Sequence, residues 1–317
     1  MSLPQIAFVF PGQGSQTVGM GRELAQLYPV ARHTFQEADE ALGFSVSQLC
    51  FEGPEEKLKM TEITQPALLT MSTAACRVLQ EKGVVPQFVA GHSLGEYSAH
   101  VAASTLAFAD AVRAVHSRGK YMQEAVPAGQ GAMAAILGFP LEQLQQVCDE
   151  AAQGEVVSPA NINSPDQIVI SGHKGAVERA AELAKQRGAK RAVMLPVSAP
   201  FHCALMKPAQ DRLAEDLRRL KFEDPEIPVV ANFDAEPKTS GEASREGLIR
   251  QVTGAVEWLR CVQKLIQLGA QTFVEVGAGK VLTGLMRQID RSQAAMNAGD
   301  EESLQKVTNL FAAASKD

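Results

Sequence analysis

A serine flanked by two glycines, directly after a short apolar run, constrains this chain more than any other stretch of it. The run is Phe88-Val89-Ala90, and Gly91-His92-Ser93-Leu94-Gly95 follows it. A G-x-S-x-G pattern between a strand and a helix is typical of a nucleophile elbow, a turn so tight that glycines flank the serine while its hydroxyl projects outward. Taken alone, the pattern also fits an ordinary glycine turn with a solvated serine. The helix-compatible stretch from Glu96 to Ala103 favours the elbow, with Ser93 as the nucleophile.

Strand and helix patterns alternate on both sides of this turn. Ile6 to Phe10 is a continuous apolar run that ends in Pro11-Gly12-Gln13-Gly14, as expected of a buried parallel strand entering a tight loop. Further helices are predicted over Gly21 to Tyr28, Gln65 to Lys82 and Glu301 to Ala314, and further strands over Val229 to Asn232 and Thr272 to Val276. The alternation predicts an α/β fold with a parallel, doubly wound, hydrolase-like sheet.

The pattern changes between about Gly131 and Val197. Strands are predicted at Ala132–Leu137, Val156–Asn161, Gln167–Ser171 and Arg191–Val197, and helices at Leu141–Ala152 and Lys174–Arg187. This βαββαβ order is typical of a ferredoxin-like subdomain. Because the α/β pattern resumes afterwards, we expect residues 129–197 to be an insertion into a catalytic core formed by residues 1–128 and 198–317.

The composition restricts the classes of partner. The 317 residues are 45% hydrophobic and 21% charged, which suits one large core or a core with an inserted subdomain. A net charge of −6 without a long basic run argues against a general nucleic-acid binder. The stretch Met1-Ser2-Leu3-Pro4-Gln5 lacks the basic region of a secretion signal, and no run of about 18 apolar residues occurs. We therefore expect a cytoplasmic protein with neither a membrane nor a nucleic acid as partner.

The cysteines indicate neither a disulfide framework nor a zinc site. They are odd in number, scattered and never spaced as C-x-x-C, namely Cys50, Cys76, Cys148, Cys203 and Cys261. We expect reduced thiols that are mostly buried.

A serine hydroxyl needs a base within hydrogen-bond reach, and His202 is the best candidate. It follows the last strand of the insertion in Ala199-Pro200-Phe201-His202, where the chain returns to the main sheet. His92 is expected to point away from the serine, while surface or helix-capping roles are expected for His100, His116 and His173. Asp110, Asp149 and Asp166 lie between serine and histidine, but none follows a clear strand end. The base could instead be oriented by a backbone carbonyl or an amide side chain.

Five motifs, in order along nearly the whole chain, resemble those of malonyl-CoA:acyl-carrier-protein transacylases. They are Pro11-Gly12-Gln13-Gly14-Ser15-Gln16, Gly91-His92-Ser93-Leu94-Gly95-Glu96, Ala160-Asn161-Ile162-Asn163-Ser164-Pro165, Ala199-Pro200-Phe201-His202 and Glu275-Val276-Gly277-Ala278-Gly279-Lys280-Val281-Leu282. Because the chain starts and ends with this domain, it resembles a discrete member of the fatty-acid-synthesis type. The sequence leaves open a polyketide pathway, the choice between malonyl and methylmalonyl groups, and the oligomeric state.

The resemblance implies a role for each matching residue. Ser93 is the nucleophile, and His202 is its base, held by the main-chain carbonyl of Gln251. The backbone N–H groups of Gln13 and Leu94 form the oxyanion hole, and Leu94 directly follows the nucleophile, the usual position of such a donor.

Two further residues are implied to bind the substrate. Arg118 matches the arginine that pairs with the malonyl carboxylate, a task for which a planar guanidinium with two parallel donors is suited. Taken alone, Arg118 is more simply a solvated helix charge. Phe201 is a weak cue to malonyl selectivity, and a role as a pocket wall is equally expected. Gly277-Ala278-Gly279-Lys280 lacks phosphate-loop spacing and is interpreted as a strand-to-helix turn, with nucleotide binding as the lesser alternative.

The implied activity is transfer of a malonyl group from malonyl-CoA to acyl carrier protein through a malonyl-serine ester, with no metal or bound cofactor. Carrier proteins are acidic, so docking is expected on basic residues near the pocket mouth, with Lys185, Arg187, Lys190, Arg191 and Arg287 as candidates. Each of these is more simply a solvated charge. Two other functions compete with this one: an esterase or thioesterase of the α/β-hydrolase class, and a non-catalytic adaptor of carrier proteins.

Overall fold

The computed structural model describes residues 5–197 and 199–314. Two sequence expectations fall outside these residues: the N-terminal stretch Met1 to Pro4, and Ser198 as the first residue of the second core segment.

Strands and helices alternate along most of the described chain. The strands are β1 Ile6–Phe10, β2 Phe88–Gly91, β3 Gly131–Leu137, β4 Val157–Ser164, β5 Gln167–His173, β6 Arg191–Met194, β7 Val229–Val230, β8 Pro237–Lys238, β9 Thr272–Val276 and β10 Ala294–Ala298. The helices are α1 Arg22–Leu27, α2 Pro29–Leu42, α3 Val46–Glu52, α4 Glu55–Leu58, α5 Thr61–Glu81, α6 Gly95–Ala102, α7 Phe108–Glu124, α8 Leu141–Ala152, α9 Lys174–Gln186, α10 Lys207–Arg219, α11 Gly241–Gln251, α12 Trp258–Gln267, α13 Val281–Ile289 and α14 Glu301–Ala314.

A mainly parallel sheet forms the centre of the molecule, in the order β10-β9-β1-β2-β7-β8. Strands β10, β9, β1, β2 and β7 run parallel, and β8 is added antiparallel at the edge. The side chains of β1 are buried throughout, because helices cover both faces of a parallel sheet. Since the carboxyl ends of parallel strands meet at one edge, the turns after β1, β2 and β9 lie close together there.

Two apolar cores lie on the two faces of this sheet. The larger includes Leu68 and Leu69 of α5, Val112 and Val115 of α7, and Phe8 of β1. The other joins Trp258 and Leu265 of α12 to Phe273 of β9.

A separate antiparallel sheet lies between residues 131 and 194. Its strand order is β4-β5-β3-β6, and helices α8 and α9 pack on one face over a core of their own. The elements follow one another as strand, helix, strand, strand, helix, strand, which is the order that the sequence predicts. A backbone bridge between Asn161 and Val256 connects this sheet to the rest of the fold.

Several element bounds differ from the sequence predictions. The strand predicted over Arg191–Val197 ends at Met194, whereas the one predicted over Val156–Asn161 extends to Ser164. The helix predicted from Gln65 begins at Thr61, so Pro66 lies inside it, where it removes one i→i−4 hydrogen bond. All five cysteines are buried free thiols. In residues 5–197 and 199–314, no helix combines the length and apolarity that crossing a bilayer requires.

Candidate active site

The turn between β2 and α6 holds Ser93 in a conformation that few non-glycine residues adopt. Its φ is +51°, in the left-handed region. The flanking glycines are required by close packing. A Cβ on Gly91 would lie 1.9 Å from the carbonyl of Gly95, and one on Gly95 would lie 2.1 Å from the carbonyl oxygen of Phe10. The G-x-S-x-G stretch therefore forms the tight strand-to-helix turn that the sequence predicts.

His202 meets Ser93 across 109 residues of chain. Its Nε2 lies 2.7 Å from the Ser93 hydroxyl oxygen, and its Nδ1 lies 2.9 Å from the main-chain carbonyl oxygen of Gln251. A carbonyl can only accept, so Nδ1 carries the ring proton and Nε2 presents a lone pair to the hydroxyl. This tautomer is the one that a general base needs.

Burial keeps the imidazole of His202 neutral. The side chain is 3% exposed. Burial, reinforced by the positive charge of Arg118, lowers the pKa of His202 to about 3, and the bond to the Gln251 carbonyl opposes this shift only in part. The imidazole is therefore unprotonated at neutral pH and available to accept a proton.

Arg118 of α7 brings a cation to the same place. Its Nη2 donates to the Ser93 hydroxyl at 3.1 Å and to the side-chain oxygen of Gln251 at 2.9 Å, and its Nη1 donates to Gln65 at 2.8 Å. The guanidinium is 1% exposed, and burial lowers its pKa from the ordinary value. Among the described residues its Nε has no hydrogen-bond partner, so the group keeps donor capacity for a ligand.

A cavity of about 940 Å³ opens onto these groups. Gln13, Leu94 and Phe201 line it beside Ser93 and His202. The loop that carries Gln13 packs against the elbow, since a Cβ on Gly12 would lie 2.5 Å from the carbonyl oxygen of His92. The site thus brings together the Ser93 hydroxyl, the His202 imidazole and a buried cation, together with the residues predicted to form the oxyanion hole.

None of the three aspartates considered from the sequence is seen to orient His202. Asp110 pairs with Arg113, and Asp149 accepts a hydrogen bond from Gln145. Asp166 lies in the hairpin turn after β4. The imidazole is held by a backbone carbonyl, one of the two alternatives left open above.

Comparisons with known proteins show the family to which the chain belongs. Residues 7–308 match the sequence profile of the acyl transferase domain. The malonyl CoA-acyl carrier protein transacylase of Escherichia coli strain K12 is 54% identical over 288 residues, which cover 90% of this chain and 93% of that protein. The chain belongs to the malonyl CoA-acyl carrier protein transacylase family.

Solved structures of related transacylases have the same fold. That of the malonyl CoA-acyl carrier protein transacylase from Coxiella burnetii superposes with a TM-score of 0.94 at 45% identity, covering 96% of this chain and 98% of that one. A malonyl-transacylase in complex with a type II PKS acyl-carrier protein superposes equally well, at 49% identity, with 96% and 99% covered. This transacylase is therefore an enzyme with a mixed α/β fold, in which a parallel sheet and an antiparallel sheet are separate.

The remaining histidines of the transacylase lie away from the Ser93 hydroxyl. His92 directs its Nε2 to Asn163, at 2.8 Å. His173 precedes α9 and accepts from the N–H of Val156, and His116 bonds to the carbonyl of Glu62. The expectation of a surface or capping role is wrong for His100, which is fully buried because α6 is enclosed on every side by the sheet and by helices α5, α7 and α11.

The basic residues proposed for docking are exposed but do not line the cavity. Lys185 and Arg187 pair with Glu182 and Glu150. The cations that line the cavity are Arg118, Lys59 and Lys280. Lys280 belongs to the turn between β9 and α13, which is the strand-to-helix connection predicted for Gly277–Lys280.

Three residues of the transacylase site have no role in the sequence prediction. Gln65 binds Arg118, Asn232 accepts from the Ser93 N–H at 2.7 Å, and Glu96 binds both Asn232 and Gln251. Glu96 is the last residue of the elbow motif, and Asn232 is the last residue of a predicted strand. A polar residue in either position is the signal that could have found them.

Proposed function

We propose that this enzyme transfers a malonyl group from malonyl-CoA to the phosphopantetheine thiol of acyl carrier protein, through an ester on Ser93. The observation that carries the proposal is that the Ser93 hydroxyl contacts both a neutral imidazole and a buried guanidinium inside one cavity. The hydroxyl and the imidazole suit acyl transfer, and the guanidinium suits an acyl group that ends in a carboxylate.

The first half-reaction forms the ester. His202 Nε2 takes the hydroxyl proton as Ser93 Oγ attacks the thioester carbonyl, and the N–H groups of Gln13 and Leu94 stabilise the resulting oxyanion. The carbon–sulfur bond then breaks, and the CoA sulfur leaves with the proton from His202. The Gln251 carbonyl supports this cycle, because it holds the imidazolium by its Nδ1–H.

The second half-reaction reverses these steps with another thiol. The carrier-protein thiol gives its proton to His202 and attacks the ester carbon, and Ser93 recovers its hydroxyl proton as the ester bond breaks. CoA leaves before the carrier protein enters, so the kinetics are ping-pong. Ser93 and His202 supply the nucleophile and the base, so the transfer needs neither a metal nor a bound cofactor.

Arg118 selects the acyl group. A malonyl carboxylate pairs with the guanidinium, whereas an acetyl group leaves a buried cation without a partner. A site built for a polar partner discriminates against a substrate that lacks it by roughly 10⁴-fold. Phe201 forms a wall of the same cavity and limits the room beside the carboxylate.

We propose the same division of the fold that the sequence predicts. Residues 1–128 and 198–317 form a hydrolase-like catalytic core, and residues 129–197 form a ferredoxin-like subdomain inserted into it. The location of the protein in the cytoplasm stays a prediction.

Intact-mass analysis after mixing with malonyl-, methylmalonyl- and acetyl-CoA in competition tests this function. We expect a malonyl adduct in the native protein and none in Ser93→Ala. Ser98→Ala, whose buried hydroxyl has no partner among the described residues, is the matched control and keeps the adduct. An adduct in Ser93→Ala would assign the nucleophile elsewhere, and hydrolysis faster than transfer to a thiol acceptor would indicate a thioesterase. Absence of any adduct would favour the adaptor.

A further inference from the structure

Glu96 is a fully buried carboxylate in the first turn of α6, three residues after the nucleophile. Burying such a group costs free energy unless hydrogen bonds compensate. One oxygen, Oε2, has two donors, while Oε1 has no hydrogen-bond partner among the described residues and faces His100 Nε2 at 3.8 Å. The bonds of Oε2 therefore account for the placement of this carboxylate.

The first donor is the backbone N–H of Asn232, at 2.9 Å. The side chain of Asn232 spans the elbow: its Oδ1 accepts from the Ser93 N–H at 2.7 Å, and its Nδ2 donates to the Gly91 carbonyl at 2.7 Å. Both sides of the turn are thus tied to Asn232, which follows the end of β7. Since Ser93 has a left-handed backbone, these bonds help to hold it in a conformation that it would otherwise leave.

The second donor is the side-chain amide of Gln251, at 2.8 Å. The same amide nitrogen donates to the Ser93 carbonyl at 2.9 Å, and its amide oxygen accepts from Arg118. The main-chain carbonyl of Gln251 holds His202. A single residue at the end of α11 therefore contacts the nucleophile, the base and the cation.

We propose that Glu96 is a positioning residue for acyl transfer, whose Oε2 fixes Asn232 and Gln251 and, through them, the relative placement of Ser93, His202 and Arg118. The inference rests on the proposed function in taking Ser93 and His202 as the reacting pair. Without this oxygen, two buried donors lose their acceptor, and the residues that carry them shift to find others. A displacement of about 1 Å at reacting groups lowers rates by roughly 10²-fold.

The rate at which a sulfonyl fluoride labels Ser93 in the full chain tests the inference without any acyl substrate. We expect Glu96→Leu to lower the second-order rate constant by roughly 10²-fold. Glu96→Gln keeps an acceptor oxygen at this place and is expected to stay within about tenfold of the native protein. Glu96→Asp draws the carboxylate back by one methylene and is expected to fall between the two, which provides a second measurement if Glu96→Leu does not fold.

Two controls separate positioning from general stability. Ser98→Ala changes a buried side chain on the same helix and is expected to label at the native rate. Leu265→Ala removes core volume on the other face of the sheet, and is expected to lower the Tm while labelling normally. In malonyl transfer, Glu96→Leu should lower kcat by a larger factor than it raises the KM for malonyl-CoA, because Ser93 and His202 are displaced while Arg118 keeps its bond to Gln65.

The outcomes distinguish this inference from the function on which it rests. Native labelling in Glu96→Leu would overturn the positioning role alone. A labelling rate lowered equally in Glu96→Gln and Glu96→Leu, or lowered in Leu265→Ala, would overturn it as well. Labelling of Ser93→Ala at the native rate would remove the reacting pair itself, and both proposals with it.

Discussion

The Nη2 of Arg118 lies 3.1 Å from the hydroxyl oxygen of Ser93, and the Nε2 of His202 contacts the same oxygen at 2.7 Å. Because the guanidinium can only donate, the hydroxyl accepts from Arg118 and gives its own proton to the imidazole. A cation at this distance stabilises negative charge on that oxygen. It also opposes protonation of His202, so Arg118 affects both members of the pair.

We expect Arg118→Ala to change which acyl group is transferred. The malonyl carboxylate loses its ionic partner, so kcat/KM for malonyl transfer should fall by up to roughly 10⁴-fold. Acetyl transfer should fall much less or rise, because no buried cation is left unpaired. Rates with both CoA esters measure the ratio, and Arg113→Ala, an exposed arginine of the same helix, is the control. Unchanged acyl preference in Arg118→Ala would remove this residue from the substrate site.

The same substitution should alter the pH dependence of the base. Burial is the main cause of the low His202 pKa and the Arg118 charge is the second, so removing that charge raises the pKa towards its ordinary value. The acid limb of kcat/KM for acetyl transfer should therefore move to higher pH in Arg118→Ala. In a profile of kcat/KM from pH 4 to 8, the acid limb should enter this range in Arg118→Ala and stay below it in the native protein, and a profile that is flat down to pH 4 in both proteins would contradict the prediction.

His202 should also make folding stability depend on pH. Its pKa is about 3 in the folded chain, against roughly 6.5 when unfolded, so between these values the unfolded chain binds more protons. Stability is therefore retained above about pH 6.5 and lost as the pH falls towards 3, by about 2 kcal/mol at pH 5. Urea unfolding at pH 7.5 and pH 5 should show a smaller loss in His202→Gln. His33→Gln, at an exposed histidine, is the control, and an equal loss in all three proteins would refute the prediction.

Two glycines that line the cavity should respond oppositely to alanine. A Cβ on Gly12 would meet the His92 carbonyl oxygen at 2.5 Å, so Gly12→Ala should displace the loop that carries Gln13 and lower kcat for both acyl groups. A Cβ on Gly284 meets nothing within 4 Å, and Gly284→Ala should stabilise helix α13 by about 0.5–1 kcal/mol. Steady-state rates and Tm values for both variants decide the matter. A fully active Gly12→Ala would show that this loop is not needed in its present place.

Reversal of basic charges should weaken capture of an acidic carrier protein. We expect Arg191→Glu and Arg287→Glu to raise the KM for the carrier protein at low salt and to leave the KM for malonyl-CoA unchanged, with the effect fading at high salt. Lys221→Glu, at an exposed lysine that lines a different pocket, is the control. A carrier-protein KM that stays at the native value at low salt would exclude the proposed patch.

The sequence predicts the parts of the site that local patterns encode. The apolar run before Gly91 and the glycines around Ser93 define the elbow, and the pattern from Gly131 to Val197 yields the element order of the antiparallel sheet. The contact of Asn232 with Ser93 could not be assigned in this way, because 139 residues separate the two, and a polar residue at a strand end does not reveal which residue it binds. The burial of His100 was missed for a related reason. Helix α6 carries polar residues on buried positions, so its periodicity does not reveal which side faces the core.

The Asn161–Val256 bridge and the His92–Asn163 hydrogen bond join the antiparallel sheet to the segment after α11 and to the elbow. An exchange of residues 129–197 between two relatives would therefore replace one half of each of these contacts. In a working chimera, Asn161 must stay aligned with Val256 and Asn163 with His92, both of which belong to the recipient chain. Grafts that shift β4 by even one position would separate the nucleophile turn from the strand that supports it.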